Sequence, residues 1–107
     1  VLLVNNDLVR AIRERRLIEF AYRGGGPRTA EPHDYGVLKG VESLVAFQMS
    51  GASRSGGVLG WRQFSVADMQ RLRVLDEHFS GSRADSAQHH RQWDMLFARV
   101  GGEIREK

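Results

Sequence analysis

Five short stretches of this chain alternate apolar with polar positions, as half-buried strands do. They cover residues 17–22, 28–38, 43–49, 58–66 and 70–75, and clusters of Gly, Ser and Pro separate them. The organising stretch is Gly60-Trp61-Arg62-Gln63-Phe64-Ser65-Val66. Arg62, Phe64 and Val66 share one face, and Trp61, Gln63 and Ser65 the other. Phe64 and Val66 call for a core, which leaves Arg62 at its edge. The 43–49 stretch is apolar on both faces and predicts a central strand. Pro32 predicts an edge, bulge or corner for 28–38, with Glu31 and Asp34 facing water and Tyr35 half-buried. Leu72 and Val74 are expected inward, Arg71 and Arg73 outward.

A helix is predicted over 6–16, capped by Asn5 or Asn6, with Asp7 in its first turn and a stripe of Leu8, Ile12 and either Ala11 or Val9. Ser65 can cap one helical turn over 66–69. Residues 76–79 are expected to leave the sheet, with Phe79 plugging the core. Residues 80–85 read as a linker. Trp93, Leu96, Phe97 and Val100 recur at helical spacing up to Gly101, which predicts a separate amphipathic helix over 86–101 and a frayed tail over 102–107. The expected architecture is mainly β: a small five-stranded barrel, residues 1–79 with the opening helix, followed by the C-terminal helix. Curling removes exposed strand edges, which favours a barrel for short connected strands.

Composition changes this picture little. One domain is expected at 107 residues, with one modest core. There is no cysteine, which excludes disulfides and thiolate metal sites and fits a reducing, cytoplasmic setting. No apolar run approaches the ~18 residues of a membrane span. Val1-Leu2-Leu3-Val4 is too short for a signal sequence, and a start at Val1 suggests a longer natural N-terminus. Net charge is +3, and fourteen of the sixteen basic residues are Arg, but thirteen acids are interspersed among them. Arginine suits bidentate contact with phosphate or carboxylate. The candidate anion-binding residues are Arg62, helped by Arg28 and by Arg54 in the Ser-Gly loop. Tyr22, His33, Tyr35 and Trp61 are the candidates for stacking or hydrogen bonding. Adjacent His89 and His90 make a poor metal pair, the glycines at 24–26 lack phosphate-loop spacing, and no cofactor is implied.

The order of pieces resembles the WYL domain family. Ala11-Ile12 and Arg15 lead into Leu17-Ile18-Glu19-Phe20-Ala21-Tyr22, then Glu31-Pro32, then an apolar strand. Arg62-Gln63-Phe64-Ser65-Val66 and Leu72-Arg73-Val74-Leu75-Asp76-Glu77-His78-Phe79 follow. The resemblance covers roughly residues 8–79. The Trp-Tyr-Leu run that names the family reads Glu42-Ser43-Leu44 here, so only the leucine remains. The family's Arg before an aromatic falls on Arg62 and Phe64, and the tyrosine closing its first strand on Tyr22. Trp61 or Tyr35 would have to replace the missing rings in space. The resemblance implies an SH3-like or Sm-like barrel and a bacterial ligand-sensing or regulatory module, mostly found behind a DNA-binding domain. Nucleotides or nucleic acids are the implied ligands.

Three functions are weighed. The first is a regulatory module for an anionic ligand, held by the residues named above. The second is a structural or oligomerisation module, with Trp93, Leu96 and Phe97 meeting another copy as a homodimer or higher oligomer. The third is an enzyme using His33 with Asp34 or Glu31, and it lacks a nucleophile turn, a metal trio and a cofactor loop. The order of preference is as given, so the chain is expected not to be an enzyme.

Overall fold

The computed structural model describes residues 3–51 and 59–101. Helix α1 (Asn6–Glu14) leads into strands β1 (Arg16–Tyr22), β2 (Pro27–Leu38), β3 (Val41–Gly51) and β4 (Gly60–Ser65). A 3-10 turn (Val66–Asp68) enters β5 (Met69–His78), a second (Ser86–His89) follows, and β6 (Met95–Arg99) comes last. The sheet is antiparallel in the order β4-β3-β2-β1-β5, with β6 added to β2.

Asn5 caps α1: its side chain accepts from the amides of Asp7 and Leu8 at 3.0 and 3.1 Å. Leu8, Ala11 and Ile12 form the buried stripe. The helix stops short of residue 16 because Arg15 turns left-handed (φ 57°) and Arg16 already pairs with His78 on β5. α1 covers a core built from Ile18 and Phe20, Tyr35, Leu44 and Ala46, and Phe64. Val66, Leu72, Val74 and Phe79 pack against it half-buried, and Arg71 and Arg73 stay exposed, as the alternation predicts.

Several expectations are corrected. The sheet does not close into a barrel: β4 and β5 end the strand path unpaired with each other, and the 3-10 turn carries the chain between them. The sheet is nonetheless curled. The Ser65 amide donates to the Tyr22 hydroxyl at 2.9 Å, so the end of β1 touches the end of β4 although β2 and β3 lie between them in the ladder.

β2 is the central strand, buried along most of its length on both faces, and not an edge. Its N-terminal half pairs with β1 up to Ala30, and its C-terminal half pairs with β6 from Asp34. Pro32 stands at this handover and marks a bulge, one of the expected alternatives: the register against β3 shifts between Pro32 and Asp34, which accommodates its missing N–H. Glu31 and Asp34 do not face water; they are 6% and 2% exposed. Tyr35 is fully enclosed.

The C-terminal helix is absent, and residues 95–99 form a sixth strand. Helical spacing of Trp93, Leu96 and Phe97 is a local signal, and β2 offers an open edge that outweighs it. The Val100 amide donates to the His33 carbonyl at 2.9 Å, and Arg99 stands opposite Asp34. Gly36 permits this approach, since a Cβ there would meet the Met95 carbonyl oxygen and lie 2.9 Å from the Leu96 Cα. Residues 76–78 stay in β5, and only Phe79 leaves it. Val58 and the 102–107 tail lie outside the described residues.

Arg99 donates Nε and NH2 to the two Asp34 oxygens at 3.0 and 3.1 Å. Arg99→Ala leaves a buried carboxylate uncompensated and should cost about 2–3 kcal/mol, below the range for fully buried pairs because Arg99 is partly solvated. Arg73→Ala breaks an exposed pair with Glu19 and should cost about 1 kcal/mol or less. Urea denaturation of both variants checks the ranking.

Candidate functional site

The sheet divides the candidate residues between two faces and the core. On the core face, Tyr22 closes β1 and Arg28 opens β2. Arg28 is 8% exposed and donates to the Gln48 Oε1 at 3.3 Å. Its guanidinium carbon lies 5.2 Å from the Tyr22 ring centre and 5.7 Å from that of Phe64, within cation–π range. Phe64 meets Tyr22 edge-on with centres 4.9 Å apart. Arg62 is in register with Ala46, a core residue, and therefore shares this face. It is half-exposed, and one of its NH1 protons reaches the Trp61 carbonyl at 3.4 Å. Arg28 and Tyr22 thus come together, with Gln48 as an addition the sequence did not suggest, and Arg62 shares their face. Arg54 lies outside the described residues.

Arg23 approaches the Tyr22 ring at 5.1 Å and is bound to Asp68 at 3.0 Å. The hydrogen bond to Asp68 is the main reason its pKa is raised.

The opposite face holds His33 and Trp61. Arg83 grips Glu31 with two hydrogen bonds, Nε to Oε1 at 2.8 Å and NH2 to Oε2 at 2.9 Å. The same guanidinium sits 3.6 Å over the Phe47 ring. His33 Nε2 is 3.2 Å from Glu31 Oε1. Trp61 meets His33 at 4.7 Å, stacks on His89 at 4.4 Å, and donates its indole N–H to Asp85 at 3.1 Å. His89 is 3.5 Å from that same Asp85 oxygen. Residues 83–89 therefore strap this face, and two of the straps, Arg83 and Asp85, belong to the stretch that reads as a linker. Their local sequence gives no sign of it, because the partners are ~25 to 50 residues away and meet only when β2 and β4 are side by side.

Burial lowers the pKa of His33; the hydrogen bond and charge of Glu31 and the charge of Asp34 oppose this, and Arg83 adds to it. His33 and Glu31 are 3% and 6% exposed and already committed to each other and to Arg83. This arrangement ties strands together and offers no open acid–base pair to a substrate.

Tyr35 sits in the core. Its hydroxyl accepts from the Asn5 amide at 2.7 Å and donates to Glu42 Oε2. Burial first, then the bond to Glu42, pushes its pKa up to about 12. It anchors the cap of α1, and its ring meets Phe97 at 5.2 Å. Phe97 is thus half-buried inside the molecule, while Leu96 is 40% exposed beside Met95 at 54%. The indole N–H of half-buried Trp93 is enclosed with no hydrogen-bond partner among the described residues. Among the described residues no group of three or more His, Asp or Glu could hold a metal ion, and no helix is long and apolar enough to cross a membrane.

No family model and no curated protein matches the chain. Among solved structures, it is similar to proteasome accessory factor B/C (PafBC) of Arthrobacter aurescens, with a TM-score of 0.59 and 24% identity. The match covers 78% of this chain and 13% of that one, so the chain spans a small part of that protein's length. The likeness is one of fold, and it supports a WYL-like fold for this chain.

The lowered pKa of His33 fixes a sign. The unfolded histidine, titrating near ~6.5, binds a proton before the folded one does. The His33 contribution is fully present above that value and is lost as pH falls through the lower folded pKa. The unfolding midpoint should therefore drop between pH 7.5 and pH 5.5, and His33→Gln should flatten part of that slope. Thermal melts across the range, on both proteins, read it.

Proposed function

We propose that this chain is a ligand-sensing regulatory module for an anionic ligand such as a nucleotide or short nucleic acid. The observation that carries this reading is the cationic end of the core face, where Arg28 lies against Tyr22 and Gln48 and half-exposed Arg62 stands on the same face. Arginine forks bind phosphate or carboxylate in two-point contact, and a ring beside them offers a stacking surface. The WYL-like fold adds support, because the family resemblance implies regulators of transcription. The DNA-binding part would then lie elsewhere in the natural protein or on a partner. Binding, not catalysis, is the role proposed. Within this reading His33, Tyr35 and Trp61 hold the fold that presents Arg62, and do not touch the ligand.

Titrating short single-stranded RNA, short single-stranded DNA and nucleotides at two salt concentrations tests it. Affinity should fall steeply as salt rises, since each neutralised phosphate releases counterions. Arg62→Gln should weaken binding roughly tenfold, the worth of a charge-assisted hydrogen bond, with little change in thermal midpoint. Salt-independent binding, or none to any of these probes, would remove the proposal.

A second reading has its own observation. Val41 and Leu96 expose 48% and 40% of their surface, and both stand on one face, in register with Leu38 and Gly36 of β2. Such a patch suits a homodimer contact at which Leu96 and part of Trp93 meet a second copy. Light scattering on Leu96→Glu should then show a dimer reduced to monomer.

A further inference from the structure

A cavity of about 640 Å³ opens at the turn end of the sheet, and Arg62 does not line it. This volume is within the range of small-molecule sites. The β2–β3 turn contributes Lys39, and β3 and β4 contribute Ser43, Gln63 and Ser65. Tyr22 closes one side, and Arg91 and Gln92 come from the segment before β6. Ser43 and Ser65 face each other in register. Among the described residues no acid lines this cavity.

Asp68 and Asp94 are bonded to residues at this end of the sheet. Asp68 holds Arg23, which also lines the cavity, and Asp94 accepts from the Gly40 amide at 2.8 Å. Arg23 is therefore paired, and Lys39 and Arg91 are the other two cations of the lining, with Asp94 keeping its negative charge beside the Lys39 turn. Arg91 gives one NH1 proton to the His89 carbonyl at 2.9 Å and has further donors in its fork. The turn carrying Lys39 is fixed: Lys39 is left-handed (φ 51°), and Asp94 ties the next amide down.

We infer that this cavity binds a small phosphate ester. The anion would lie between Lys39 and Arg91, the Ser65 hydroxyl would donate to its oxygens while that of Ser43 is held by the Val41 carbonyl at 2.9 Å, and Leu38 and Val41 would wall its organic part. The inference rests on the reading that the chain takes an anionic ligand, and it moves the point of capture from the Arg62 edge to the turn end. Tyr22 borders both, with Arg28 over its ring and the cavity beside it.

Calorimetry with inorganic pyrophosphate as probe, and citrate as a phosphate-free polyanion, tests the assignment on the full chain. Lys39→Gln and Arg91→Gln alter exposed side chains. Each should weaken pyrophosphate binding roughly tenfold, while Arg62→Gln leaves it unchanged. Two-dimensional NMR of the unmodified chain should show shifts centred on Ser43, Ser65 and Gly40. If Arg62→Gln alone weakens binding, the cavity assignment is overturned and the anion-binding reading survives. If citrate binds as tightly as pyrophosphate, the phosphate-ester class is overturned. If the unmodified chain binds pyrophosphate with no shift at these residues, the cavity is excluded. Failure to bind pyrophosphate at all overturns the inference, and the oligonucleotide and nucleotide titrations then decide the broader reading separately.

Discussion

The structure depends on keeping a polar strand buried. β2 is enclosed on both faces, yet it carries Arg28, Glu31, His33 and Asp34, all less than a tenth exposed. A buried charge without a partner is strongly destabilising, so each of these groups requires a counterpart from another element. Gln48 answers Arg28 from β3, Arg83 answers Glu31, and Arg99 answers Asp34 from β6. His33 shares the Glu31 carboxylate with Arg83 and remains the less basic for being buried.

That requirement accounts for the route of the chain after β5. Residues 80–99 pack Phe97 and Ala98 on the core, and they also bring the two arginines that β2 needs. Arg83 and Asp85 lay the connection across Phe47 and Trp61, and Arg99 sets the register of β6 against Asp34. Such pairs add less net stability than hydrophobic burial of the same volume would. Their contribution is specificity: slipping β6 by one residue would separate Arg99 from Asp34 and turn every side chain to the other face.

The same arrangement separates the enclosed polar groups from those near solvent. The outer face is closed by the 83–89 strap, and Tyr35 is spent on the helix cap. Among the cationic groups near solvent, Arg62 stands at the core-face edge, and Lys39 and Arg91 stand at the turn-end cavity. Tyr22 joins the two regions. Its hydroxyl holds the Ser65 amide, its ring faces Arg28 and Arg23, and its side chain borders the cavity. A ligand felt at either place would act on the contact by which the curled sheet brings β1 against β4.

Local order along the chain was legible in the residues. Asn5 and the Leu8–Ile12 stripe gave α1, and the period-two pattern gave the first five strands, because capping and amphipathic alternation are properties of neighbouring residues. The grouping of Arg62 with Phe64 on one face followed from the same alternation. What the tertiary structure alone decided was the set of long-range partners. It made β2 central and placed Pro32 at a bulge against β3 instead of at an edge. It converted a helically spaced run into β6, because an open strand edge with a buried carboxylate waited there. It also assembled the turn-end cavity from segments distant in sequence. Charge pairing and edge pairing act between residues whose separation along the chain carries no information about their separation in space, and so no reading of periodicity could have supplied them.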